Sequence, residues 1–380
     1  MKILPLFVVL LVGSALAPIQ AAPLPIPSAP VLSAKSYILE DFKTGTVIAQ
    51  KNADERLPPA SLTKLMSLYV TFHALKSGAI HLDDKATVSE KAWRMGGSRM
   101  FLKLGSKVSV QDLIKGIIID SGNDATVALS EYVGGTEAGF VNMMNAYVKQ
   151  LGLKNTHYTD ASGLPHPDHY TSARDLATLA RAIVKEFPDY YKEFFADKDL
   201  TWNNIHQTNR NLLLWRDPSV DGLKTGHTDA AGYCMVISAK RGDMRLISVV
   251  MNTPSEKARA DESEALLNYG YHFFEGRTLY AAGSKLTEAK VWKGDAEQVA
   301  IGLKSDLYVV VPKGEVNKLE AKMQLPKTII APVDADKPIG EVKVMLGDKM
   351  VASAPLYALK SVDEGGLWRR MVDSIALLFH

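Results

Sequence analysis

Ser61 and Lys64 stand three residues apart in Ser61-Leu62-Thr63-Lys64, directly after Pro58-Pro59. On a helix, positions i and i+3 share a face, so the lysine amine can lie beside the serine hydroxyl. A serine hydroxyl is a weak nucleophile until a neighbour takes its proton, and a desolvated lysine can take it. This is the chain's one Ser-x-x-Lys. A surface serine and a solvated lysine on an amphipathic helix would show the same spacing, so the pair needs corroboration from elsewhere in the chain.

Two further motifs supply it. Ser121-Gly122-Asn123, the one Ser-x-Asn, follows an apolar run from Leu113 to Ile119 that reads as a buried helix ending in a turn. Ser, Gly and Asn are also ordinary turn residues. Lys224-Thr225-Gly226 leads towards a strand-like run, Gly232 to Ala239. A second Lys-Thr-Gly, at Lys43-Thr44-Gly45, precedes the nucleophile and reads as the turn of a hairpin between Ser36–Glu40 and Thr46–Ala49.

Ser-x-x-Lys, Ser-x-Asn and Lys-Thr-Gly, in that order, are the signature of active-site-serine penicillin-recognising enzymes. Leu151-Gly-Leu-Lys-Asn-Thr-His157, Ser172-Ala-Arg-Asp175, the run Val220 to Asp229 and the tail Leu377-Leu-Phe-His380 extend the likeness. From about Ser33 to its end the chain resembles the low-molecular-mass penicillin-binding proteins, the D-alanyl-D-alanine carboxypeptidases of the penicillin-binding protein 5 and 6 type. The resemblance implies an α+β fold. A serine β-lactamase/transpeptidase-like domain, an antiparallel sheet flanked by helices with a helical subdomain, would be followed by a small all-β domain and a C-terminal amphipathic helix.

The same resemblance assigns roles. Ser61 would attack the carbonyl between the two terminal D-alanines of a peptidoglycan stem pentapeptide. Lys64 would be its base, with its pKa lowered by burial and by the cation Lys224. Ser121 would relay a proton to the leaving amine, and Asn123 would hold the substrate backbone. Gly226 belongs to the substrate-binding motif. The backbone N–H groups of Ser61 and His227 would form the oxyanion hole. Thr225 and Arg259 would hold the terminal carboxylate, with Arg210 as a second candidate. β-Lactams would acylate Ser61 and leave slowly. No cofactor and no metal is implied.

Organisation along the chain fits an exported protein. Lys2, an apolar run from Ile3 to Ala17 and small residues up to Ala22 read as a secretory signal peptide at 1–22, too short for a membrane span. A Pro-rich leader occupies 23–32. The peptidase domain is expected over 33–276 and an all-β domain over 277–359, where short apolar runs recur and Gly347-Asp348 marks a hairpin. In the last segment, 360–380, Leu367, Trp368, Met371, Val372, Ile375, Leu378 and Phe379 share one helical face, with Arg369, Arg370, Asp373 and Ser374 opposite. Such a helix suits the interface of a membrane; packing on the protein is the alternative. The expected location is the periplasm, against the outer face of the inner membrane. A net charge of +2, from 44 basic and 42 acidic residues, leaves no footprint for nucleic acid. The lone Cys234 cannot form an internal disulfide and reads as a small buried hydrophobe.

Other readings compete. A class A β-lactamase needs a glutamate for deacylation; Glu264-Ala-Leu-Leu-Asn268 has the pattern but lies after Lys-Thr-Gly, where it reads as coincidence. A triad hydrolase lacks its Gly-x-Ser-x-Gly elbow, although His157, His166, His169 and His227 could serve Ser61. His166-Pro-Asp-His169 could pair on a metal, but two solvated loop histidines is the favoured reading. DD-endopeptidase activity, or a membrane-tethered wall-binding scaffold with a relic site, completes the set.

Overall fold

Apolar residues alternate between two faces along the central strands, and that alternation places the catalytic domain's two cores. The computed structural model describes residues 26–379; the expected signal peptide and the start of the leader lie outside them. Five antiparallel strands are ordered Val47–Lys51, Ser36–Asp41, Met244–Thr253, Gly232–Arg241 and Val220–Thr228. In Gly232–Arg241, Cys234 and Val236 face one core while Met235, Ile237 and Ala239 face the other. Cys234 is fully buried, as its apolar setting predicts. The first core packs a helical layer; the second is covered by the helix Glu256–Phe273. The Ser255 side chain caps that helix at its start by accepting from the Ala258 N–H.

The strand Val220–Thr228 was not expected as a strand, since its motif residues break the apolar alternation. It is the sheet's edge, paired on one side only with Gly232–Arg241. Its free side is therefore available to other elements. At Gly226 it presses against the turn that opens the serine helix: a Cβ there would lie 2.9 Å from the Pro59 carbonyl oxygen.

Ser61 lies in a 3-10 turn, Ala60–Thr63, which runs into the helix Lys64–Lys76. Every residue from Lys64 to Phe72 is buried, as befits a helix enclosed on all sides. Around it pack Val110–Ile118, Asn123–Gly134, Glu137–Gln150 and Ala173–Glu186. The early Lys43-Thr44-Gly45 does form the hairpin turn, with the Asp41 carboxylate accepting from the Thr44 N–H and hydroxyl.

From Phe274 onward the chain is β-rich. Phe274–Tyr280 pairs with Leu307–Pro312, and a second set of six strands surrounds its own apolar core. Alternation along Leu307–Pro312 links the two parts: Leu307 and Val309 enter the β core, while Tyr308 and Val310 enter the core beneath Glu256–Phe273. Leu367–Ala376 is helical. Its polar side rests on the β part through Asp373 with the Lys293 N–H, Arg370 with Glu364 at 2.6 Å, and Arg369 with Glu297. Leu367, Trp368, Leu378 and Phe379 are each 74–88% exposed. Among the described residues no helix is long and apolar enough to cross a membrane.

Candidate active site

Burial of Lys64 organises the site. Its side chain is fully enclosed, and its Nζ reaches three oxygens: Ser61 Oγ at 2.9 Å, Asn123 Oδ1 at 2.7 Å and the Ser162 carbonyl at 2.8 Å. Two of these can only accept. A neutral amine has two N–H groups for them and one lone pair for the Ser61 hydroxyl proton. Desolvation brings the Lys64 pKa down to about 7; Arg210 pushes the same way, and Asp160 and Asp124 oppose it.

The second motif stands opposite. Ser121 adopts a left-handed backbone conformation, φ 57°, just before the helix Asn123–Gly134. Ser121 Oγ accepts from Lys224 Nζ at 3.0 Å, and that amine also donates to the Thr225 carbonyl at 3.0 Å. Burial holds the Lys224 pKa well below its ordinary value, and the charges of Lys64, Arg210 and Arg259 act in the same sense. The two buried amines therefore repel each other, and Arg210 adds a further positive charge felt by both.

Asn123 is more committed than the sequence suggested. Its Oδ1 accepts from Lys64, and its Nδ2 donates to the Gly96 carbonyl at 2.7 Å. It holds the base as well as walling the cleft. Next to it, the buried Asp124 accepts from the backbone N–H groups of Met100 and Leu102, and so pins the 96–102 loop over the site.

Ser61, Ser121, Asn123, Thr225, Gly226, His227, Arg210 and Arg259 line one cleft of about 390 Å³ with Ser162–Leu164 and Gly97–Ser98. Lys64 and Lys224 lie behind this wall, joined to it through the two serines. Arg259 is buried; its Nη2 donates to Glu256 Oε1 at 2.6 Å, while its Nε has no hydrogen-bond partner. Arg210 is exposed, with its charge felt at both lysines. The His227 ring stacks on Tyr233 with centroids 4.0 Å apart. The cleft is thus rich in cations, and the buried Asp120, on which Lys224 and Arg210 also act, is pushed up to about 7 by burial and by Asp124. Glu264 belongs to the helix Glu256–Phe273 and is absent from the cleft wall.

Two hydroxyls paired with two buried amines along one cleft suit serine acyl transfer. A family model for D-alanyl-D-alanine carboxypeptidase matches residues 25–255, and one for the C-terminal domain of penicillin-binding protein 5 matches 274–364. The chain belongs to the D-alanyl-D-alanine carboxypeptidase family. It is 41% identical over 363 residues to the D-alanyl-D-alanine carboxypeptidase DacA of Escherichia coli, covering 93% of this chain and 90% of that one. It is 43% identical over 355 residues to DacD of the same organism, 91% of each. The crystal structure of penicillin-binding protein 5 from Haemophilus influenzae superposes with a TM-score of 0.85 at 44% identity, over 89% of this chain and all of that one. The carboxypeptidase therefore has the α+β fold with a β-rich C-terminal part, and it is a serine peptidase.

Sequence reasoning missed several groups around the base. Ser162 supplies a carbonyl to Lys64, and the expectation of two solvated histidines fails for His169. His169 is 3% exposed. Its Nε2 meets Thr63 Oγ1 at 2.8 Å, and its Nδ1 lies 3.2 Å from Asp160. Only His166 is exposed. A signal was available in Asp160-Ala-Ser-Gly163, a side-chain-capped turn pattern.

Proposed function

We propose that this serine D-Ala-D-Ala carboxypeptidase removes the terminal D-alanine from peptidoglycan stem pentapeptides through an acyl-enzyme on Ser61. Lys64 Nζ takes the Ser61 proton as Oγ adds to the carbonyl carbon. The backbone N–H groups of Ser61 and His227 stabilise the oxyanion; a single such donor contributes about 2.7–4 kcal/mol. The C–N bond then breaks, and the proton that Lys64 took passes through Ser121, whose own hydroxyl is held by Lys224, to the leaving amine, which returns Lys64 to its neutral form. Water attacks the ester, giving its proton to Lys64, and Ser61 Oγ leaves reprotonated with release of the tetrapeptide. Asn123 and Gly226 line the path of the peptide. Thr225, Arg259 and Arg210 take the terminal carboxylate, which brings the counter-charge that this cation-rich cleft lacks.

The observation that carries the reading is the pairing of two hydroxyls with two buried amines, Ser61 with Lys64 at 2.9 Å and Ser121 with Lys224 at 3.0 Å, along one cleft. β-Lactams present a carbonyl and a carboxylate to the same groups and acylate Ser61. Fluorescent penicillin should label the wild type covalently and leave Ser61→Ala unlabelled, and D-alanine release from a pentapeptide should vanish in the same variant. Labelling of both proteins, or of neither, would overturn the assignment.

The location we propose is the periplasm, with export directed by residues 1–22 and attachment to the membrane surface by the terminal helix. Support comes from the inverted packing of that helix. Its charged side is tied to the protein while its apolar side, with Trp368, faces outward, as an interfacial helix requires.

A further inference from the structure

The turn that supplies the Ser162 carbonyl to Lys64 is held by a carboxylate outside the three motifs. Asp160 Oδ1 accepts from the N–H groups of Ser162 and Gly163, both at 2.7 Å, and from the Ser162 hydroxyl at 2.9 Å. Its other oxygen lies 3.2 Å from His169 Nδ1, and the far side of that ring meets Thr63 Oγ1, the residue beside Lys64. The turn is seated on the serine helix at two further points. Ser67 Oγ donates to the Ala161 carbonyl at 2.6 Å. Gly163, at φ 94°, comes so close that a Cβ would lie 1.9 Å from the Ala60 carbonyl oxygen. On the outer side, Glu137 accepts from the Ala161 N–H and pairs with Lys91.

We propose that the buried Asp160–His169 pair is the positioning unit of Lys64: it fixes the carbonyl that orients the amine and supplies the negative charge nearest to that amine from this loop. Neither residue touches the reacting atoms. The charged groups facing Lys64 are Asp160 from this loop, Asp124 from its helix, Arg210 from the opposite wall and Lys224 from the edge strand. Those acting on Asp160 are His169, Lys64 and, at longer range, Lys91. Burial of Asp160 favours its neutral form, yet His169 and the two turn N–H groups outweigh it and hold the carboxyl below its ordinary range. The carboxylate is thus anionic wherever the enzyme works, and it favours the protonated form of Lys64.

The inference rests on Lys64 being the base, and the test separates the two ideas. Asp160→Asn keeps an oxygen for the turn N–H groups but removes the charge. The acid limb of the pH profile for penicillin acylation should move down by about one unit, since an opposite charge at this range commonly shifts a pKa by that much or more. KM for the pentapeptide should stay within about twofold, because Asp160 is not part of the cleft wall. His169→Gln, which keeps an amide donor, should lower kcat. An acid limb unmoved in a folded, labelling-competent Asp160→Asn would overturn the proposal, as would a pH-independent loss of rate, the mark of a merely structural role. If Asp160→Asn does not fold, Asp160→Ser carries the same test with a hydroxyl as acceptor. Lys64→Ala serves as the control for the parent reading: full acylation by that variant would sink the base assignment itself, whereas an inactive Lys64→Ala with an unmoved Asp160→Asn profile would sink the positioning role alone.

Discussion

Acylation should titrate near neutrality, and the position of that limb is a direct reading of Lys64. An ordinary lysine, with a pKa near 10.5, would be neutral in only about three molecules in ten thousand at pH 7. With burial bringing the group to about 7, about half the molecules hold the free lone pair at that pH, about a tenth at pH 6 and about a hundredth at pH 5. At 1.36 kcal/mol per unit, the shift is worth about 5 kcal/mol of differential interaction between the two charge states. The perturbation is therefore pH alone. The assay is the second-order rate constant for Ser61 acylation by a fluorescent penicillin, which isolates the step before deacylation. The rate should climb about tenfold per unit from pH 5 to nearly 7 and then level off. Because the pKa of the adjacent Lys224 is also lowered, the limb belongs to the amine pair; Lys64 is the member facing the nucleophile. A limb above pH 9 would mean an ordinary lysine, and a flat profile down to pH 5 would mean that no lysine lone pair is needed. Either result would exclude a buried, neutral Lys64 as the base. Lys64→Arg, which cannot deprotonate, should lose about 10²–10⁴-fold in rate, the usual worth of a positioned base.

Arg259→Ala should lower kcat/KM for a D-Ala-D-Ala peptide by about 10–150-fold, the value of a hydrogen bond to a charged group. The loss should fall mainly on KM, and a peptide amide at the terminal position should show little difference between the two proteins. Deletion of residues 366–380 should move the protein from the membrane to the soluble fraction and abolish binding to anionic vesicles, with kcat unchanged. The apolar face of the terminal helix makes no buried contact whose loss would disturb the cleft, so continued membrane attachment would refute the anchor.

Chemistry was legible in this sequence where it is local, and illegible where polar groups are satisfied by partners far along the chain. Ser61 and Lys64 announce themselves because three residues bring them together on one turn. The central strand 232–241 is legible because a two-residue apolar period has one structural meaning. The edge strand Val220–Thr228 breaks that period at Lys224 and Thr225, since its buried polar side chains face a cleft of other polar groups and no apolar core. In the β-rich part, Phe274–Tyr280, Lys285–Trp292 and Leu319–Gln324 escaped because charges such as Lys285, Glu288, Glu320 and Lys322 occupy their exposed positions.

His169 gives the sharpest instance. Its neighbours in sequence, Pro167, Asp168 and Tyr170, describe a surface loop, and a histidine there is ordinarily solvated. What buries it is Thr63, 106 residues away, together with Asp160 across a turn. A buried polar side chain must find partners or lose about 1–3 kcal/mol. The three motifs identify the reacting groups, but the environment that lets Lys64 give up its proton is assembled from residues that no motif includes. Substitutions at Asp160, His169 or Ser162 can therefore retune the enzyme while leaving the signature intact, and a chain with all three motifs can still differ from its relatives in the pH at which it works.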